Sequence, residues 1–310
     1  MRNEFVDELI ALAEADPRVV LLTGDLGFGV LESFADRFPG RFYNMGVAEQ
    51  NMIGVATGLA EAGFVPFAYS IATFASLRPY EFIRNGPALH DLPVRIVGTG
   101  GGFDYGYNGA SHWALEDVAI MRAQPALSVI VPADARQARN ALKETAEVPG
   151  PAYFRLGRTG DPVANFDGRF RLGRVETLGD GGDIAFIALG PMAHEAVAAA
   201  QLLEDQGVAA TVAVVGCVAP PPVEDLCALL ARVPAAISVE AHYVTGGLGS
   251  LVAEVIAEAA LDCRLVRRGV TEMPRGIVGT QGQLQARFGL IASDLAAAAV
   301  ATLAGAGISA

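Results

Sequence analysis

Short β-branched runs recur along the chain, separated by longer segments with helical spacing, and this alternation most narrows what it can fold into. Val19 to Leu22, Val65 to Tyr69, Val94 to Gly98, Ser128 to Val131 and Ala152 to Leu156 read as strands. Strand, helix and strand in succession make a parallel sheet with helices on both faces, because a parallel neighbour is reached only by a crossover. The spacing predicts a helix over Glu4 to Glu14, another starting near Ala48, and a third from Thr73 to Leu89 that ends before Pro93.

Between Gly157 and Gly182 the sequence turns rich in Gly, Asp and Arg and loses its periodicity. A second alternating series begins at Ile184 to Ala188. It continues through a helix from Glu195 to Leu203, strands Ala210 to Val215 and Ala236 to Glu240, a helix from Gly249 to Glu258 and a terminal helix from Ser293. One core of 310 residues would be near the size at which chains divide. The expected architecture is therefore α/β with two domains, residues 1–165 and 176–310, each a mostly parallel sheet flanked by helices.

An apolar fraction of 52% is high, yet no uninterrupted apolar run reaches the roughly 18 residues of a membrane helix. No membrane association is expected, and the surplus apolar surface belongs in cores or against partner subunits. The acidic opening residues, with Glu4, Asp7, Glu14 and Asp16, do not fit a basic and then apolar targeting segment, which leads us to expect a cytoplasmic protein. A net charge of −12 without a basic stripe opposes nucleic-acid binding. Cys217, Cys227 and Cys263 lack CxxC or Cys/His metal spacing and read as reduced, buried thiols; no metal ligands are assigned to this chain.

The most informative stretch is Asn44-Met-Gly-Val-Ala-Glu49-Gln-Asn-Met-Ile-Gly54-Val-Ala-Thr-Gly58. A strand runs into a helix whose first turn presents Glu49, while Gly54 and Gly58 bare one helix face for close approach of another backbone. On spacing alone, Glu49 reads first as a first-turn acid complementing the helix dipole. The string resembles the catalytic-glutamate motif in the pyrimidine-binding domain of transketolases and related thiamine-diphosphate enzymes. That resemblance implies that Glu49 hydrogen-bonds the ring nitrogen of the cofactor's aminopyrimidine across a subunit interface, assisting removal of the thiazolium proton.

The likeness continues through Tyr69-Ser-Ile-Ala-Thr-Phe74 to Asn85, where Phe74 matches the aromatic residue placed against the aminopyrimidine. Tyr80 is a weaker candidate for the same pocket, and Phe82 is assigned to packing. In Gly100-Gly-Gly to Asn108-Gly-Ala-Ser-His112-Trp, His112 falls on the family's substrate-site histidine. Asn108 stands where an Asp usually recognises a donor hydroxyl, and Gly100 where a His is common, so the pocket is expected to have lost a charge and a ring. Arg158, in Pro151 to Arg158, aligns with the arginine that reaches a sugar phosphate, although a solvated edge Arg explains it as well; Arg2 aligns with a second. Asp25 and Leu26, after the first strand, sit where the family approaches the thiazolium ring, with a turn-capping role for Asp25 as the alternative. The run Glu240 to Gly249, with His242, resembles the family's C-terminal signature and is read as a strand-to-helix turn.

The family holds Mg2+ and the diphosphate through Gly-Asp-Gly followed by an Asn. Gly179-Asp180-Gly181 does not qualify, because no asparagine follows Asn165. The resemblance thus spans the last two of three transketolase domains. It implies a split enzyme: thiamine diphosphate gripped on its pyrimidine side by this chain, Mg2+ held by the partner chain, and a heterotetramer of two copies of each. The reaction implied is transfer of a two-carbon ketol unit between sugars or sugar phosphates. Two other readings stay open at this stage, the β subunit of a 2-oxo-acid dehydrogenase and a non-catalytic assembly subunit.

Overall fold

The computed structural model describes residues 1–305. The first half runs α1 (Arg2–Ala15), β1 (Val19–Thr23), α2 (Glu32–Arg37), β2 (Phe42–Asn44), α3 (Glu49–Glu61), β3 (Val65–Ile71), α4 (Ala72–Leu77), α5 (Tyr80–Ile83), β4 (Arg95–Thr99), α6 (Asp117–Arg122), β5 (Ser128–Ile130), α7 (Ala135–Thr145) and β6 (Ala152–Leu156). The second runs β7 (Glu176–Leu178), β8 (Ile184–Leu189), α8 (Ala193–Glu204), β9 (Ala210–Val215), β10 (Cys217–Ala219), α9 (Val223–Leu230), β11 (Ala235–Tyr243), α10 (Leu248–Glu258), β12 (Arg264–Val270), α11 (Gln281–Arg287) and α12 (Ala292–Gly305). The last five residues of the expected second domain lie outside the described residues.

Two sheets form, in the orders β10-β5-β6-β4-β3-β1-β2 and β12-β11-β8-β9-β7. The strand pairings are parallel except β10 with β5 and β7 with β9. β1, β4 and β6 are buried at every position, as strands covered by helices on both faces must be. The two-domain α/β expectation therefore describes the molecule, with one difference. β10, from the second half of the chain, returns to the edge of the first sheet and ties the halves together.

The helix expected from Thr73 to Leu89 is broken. α4 stops at Leu77, α5 starts after Pro79, and Arg84–Ala88 form a π turn containing Pro87. Prolines donate no N–H and crowd the preceding turn, so two of them divide the segment. The apolar stretch Gln281–Gly305 would be long enough to cross a membrane, but it is two helices, and α12 packs on α8 with Leu295, Ala299 and Leu303 buried.

Candidate functional site

Strand order in the first sheet reverses at β1, with β2 on one side and β3 on the other, so their carboxyl ends form the switch point at which sheets of this kind place a ligand crevice. Glu49 enters it from the first turn of α3. Its side chain is 1% exposed. One carboxylate oxygen accepts from the Ser70 hydroxyl at 2.8 Å, at the end of β3. A Cβ on Gly24, just past β1, would sit 3.2 Å from that same oxygen, so the bare backbone there gives the carboxylate its room. The other oxygen is bound by Arg78 Nη1 at 2.8 Å.

From Glu49 a row of planar groups leads outward. The Arg78 guanidinium lies 3.9 Å over the Phe74 ring, and Phe74 meets His112 edge to face at 5.2 Å. The Ser111 hydroxyl lies 3.0 Å from His112 Nδ1, which leaves Nε2 for another partner. Tyr105 follows at 6.3 Å, with Arg158 4.9 Å over its ring at the exposed rim. The Arg158 amide donates to the Asp104 carboxylate at 2.8 Å. Burial raises the Asp104 carboxyl above its ordinary range, against the pull of that amide. Glu49, Phe74, His112 and Arg158 are thus brought together, and the row also holds Arg78, Ser70 and Tyr105, which the sequence did not single out.

Asp25 adopts a left-handed backbone, φ 58°, and accepts from the Asn44 amide at 2.8 Å. The Leu26 carbonyl accepts from the Thr23 hydroxyl at 2.8 Å. These bonds pin the loop after β1 beside the Glu49 crevice. Among the described residues Arg2 Nε and the Tyr69 hydroxyl are buried without hydrogen-bond partners. The Tyr80 hydroxyl donates to the Ile120 carbonyl at 2.8 Å and accepts from Gln124, so it ties α5 to α6 and the segment after it. Phe82 is 43% exposed and lies against Gly54, not in the core.

Asn108 is exposed in the short turn Gly106–Asn108. At Gly100 the expected loss of a ring is corrected by Tyr105. Gly100 has φ +78°, and a Cβ there would fall on the Tyr105 ring, which fills that space with an aromatic group of its own. Gly100→Ala is expected to cost about 1–3 kcal/mol, since overpacking and left-handed strain act together. Thermal unfolding measures this, and an unshifted midpoint would show that Tyr105 rearranges freely.

The loop carrying His112 is held between the two sheets by a buried cluster. Arg155 donates to Asp117 at 2.8 Å and to the carbonyls of Ala114 and Ala241 at 2.7 and 3.0 Å. Tyr153 donates to the same Asp117 oxygen at 2.7 Å. His242 Nε2 accepts from the Ala119 amide at 3.3 Å, and burial lowers this imidazole's pKa. Glu240 accepts from the Leu248 and Gly249 amides at the start of α10, while burial pushes its carboxyl up to about 7. A Cβ on Gly247 would overlap Glu240, which gives that glycine the structural role expected of it.

One face of α3, made by Gln50, Asn51, Gly54, Val55 and Gly58, is exposed. Nothing lies within 4 Å of a Cβ built on Gly58. Elsewhere in the first half of the chain Phe28, Val47, Leu77 and Leu89 are also exposed.

Residues 1–160 match the family described as "Transketolase, pyrimidine binding domain", and residues 173–295 match "Transketolase, C-terminal domain". The chain is 38% identical to the 6-deoxy-6-sulfo-D-fructose transketolase subunit SqwH of Clostridium sp. (strain MSTE9), over 96% of this chain and 93% of that protein. It is 34% identical to an apulose-4-phosphate transketolase subunit of Phocaeicola vulgatus, over 93% of each. Among solved structures it resembles one titled "Split gene transketolase, inactive beta4 tetramer", with a TM-score of 0.89 and 40% identity over 98% of both chains.

Proposed function

The chain belongs to the transketolase family, as the half that carries the pyrimidine-binding and C-terminal domains, and on that premise we propose that Glu49 receives the aminopyrimidine of thiamine diphosphate at an interface with a second subunit. It is a subunit of a two-chain transketolase, a thiamine-dependent transferase that works with a partner chain. The observation that carries the site assignment is the buried Glu49 carboxylate, with one oxygen fixed by Ser70 and the other bonded to the guanidinium that lies over the Phe74 ring.

These residues fit the cofactor's pyrimidine side. A ring with a hydrogen-bonding edge and an aromatic face needs a carboxylate beside a stacking surface, and Glu49 and Phe74 supply the pair. When bound, thiamine diphosphate supplies a carbon nucleophile that takes up and releases the two-carbon unit. Glu49 holds a proton at the oxygen opposite Ser70, with burial excluding competing water. Asp25 and Leu26 border the crevice from the β1 loop. His112 Nε2 reaches sugar hydroxyls, while Arg158 and Arg2 offer planar donors to an anionic end group. The partner holds Mg2+ and the diphosphate, two copies of each chain assemble, and the α3 face is covered in that assembly. The division of the chain at residues 1–165 and 176–310 is part of the same reading, as is a cytoplasmic location.

Mixing this chain with its partner should yield ketol transfer from a ketose to an aldose. Oxidative decarboxylation of a 2-oxo acid instead would select the dehydrogenase reading, and an inert mixture with bound cofactor would select a non-catalytic subunit. Asn108→Asp should move relative efficiency toward a common ketose phosphate by about 1–3 kcal/mol, if it restores a charged hydrogen bond to a donor hydroxyl. The ratio of kcat/KM across several donors reads this out; an unchanged ranking would place Asn108 outside the donor pocket.

A further inference from the structure

The guanidinium of Arg78 already makes both contacts that an aminopyrimidine would need. One of its nitrogens is bonded to Glu49 at 2.8 Å and its central carbon lies over the Phe74 ring, 3.9 Å from the centroid. Resting on the thiamine reading above, we propose that Arg78 is a stand-in for the aminopyrimidine: its guanidinium fills the seat between Glu49 and Phe74 in the chain by itself and leaves when the ring enters.

A carboxylate that is 1% exposed and, among the described residues, has the Ser70 hydroxyl as its hydrogen-bond partner besides Arg78 is poorly compensated without that arginine, so a chain waiting for cofactor and partner is stabilised by a cation at the other oxygen. Arginine suits the place better than lysine, because a planar group presents donors at its edge and a stacking surface on its face. Two planar groups cannot share one carboxylate oxygen and one ring face at these distances. Departure is open to Arg78. Its side chain is 41% exposed and sits in the break between α4 and α5, where Pro79 interrupts the helix. The stand-in therefore protects the unloaded chain and competes with the cofactor. Cofactor affinity is reduced by the fraction of time the seat is taken.

The test uses the full chain assembled with its partner, titrated calorimetrically with thiamine diphosphate and Mg2+. Arg78→Met should bind the cofactor about tenfold more tightly than wild type, and Arg78→Lys should fall between them. Without the partner, Arg78→Met should lower the unfolding temperature of the chain. Millimolar 4-amino-2,5-dimethylpyrimidine should raise that variant's unfolding temperature while leaving wild type unmoved. Equal or weaker cofactor binding by Arg78→Met, with wild type binding normally, would overturn the stand-in and leave the thiamine reading in place. Binding by neither assembly would remove the thiamine reading and the stand-in with it.

Discussion

Glu49→Gln is expected to abolish turnover in the assembled enzyme while leaving the fold and most cofactor affinity intact. The amide occupies the same volume at the start of α3, and its carbonyl oxygen still accepts the Ser70 hydroxyl bond seen at 2.8 Å. What it loses is the acid that holds a proton at the second oxygen. Loss of a positioned acid or base removes roughly 10²–10⁴-fold of rate. Arg78, which pairs with Glu49, is partly exposed and can take its charge to water, so the unloaded variant keeps its structure. Hydrogen exchange at the thiazolium carbon, followed in the loaded complex, isolates this step from substrate binding. An unchanged exchange rate would remove Glu49 from its role.

The first sheet was legible because its strands are buried on both faces and therefore read as continuous apolar runs. Ala152–Leu156 was placed to the residue, and Val19–Thr23 within one. The strands that escaped are short or at edges. Phe42–Asn44 and Cys217–Ala219 have three residues each, too few for a period, and Arg264–Val270 carries three arginines along an edge that faces water. Cys217–Ala219 is instructive, since its pairing with Ser128–Ile130 joins segments almost ninety residues apart, and nothing local announces it. Tertiary context decides such strands.

The site divides in the same way. Glu49, Phe74 and His112 could be read from contiguous strings, because the family motif fixes each within a strand-to-helix connection. Arg78 could not, since an arginine in a polar helix segment looks solvated until its partner, 29 residues away, is found beside it. Tyr105 was hidden by the opposite error. Gly100 reads as a lost ring, whereas the Tyr105 ring, five residues along the loop, lies where a Cβ on Gly100 would fall. The anchoring of the Tyr80 hydroxyl was equally hidden, since its partners, the Ile120 carbonyl of α6 and the Gln124 amide just beyond it, lie 40 and 44 residues on.

The second large effect concerns assembly. This chain by itself is expected to show no ketol transfer and to bind thiamine diphosphate weakly even with excess Mg2+. On the proposed reading Glu49 and Phe74 would grip one end of the cofactor, but a diphosphate with its cation needs several oxygen ligands, and Gly179-Asp180-Gly181 cannot supply them. That triplet lies between β7 and β8, with Gly181 packed against the Ala209 backbone. The proposed pairing would bring the two ends together and bury the exposed face of α3. The most direct test is a calorimetric titration of thiamine diphosphate and Mg2+ into this chain, into the partner and into their mixture. Tight stoichiometric binding with ketol transfer only in the mixture is the predicted result; tight binding and ketol transfer by this chain without the partner would contradict the account.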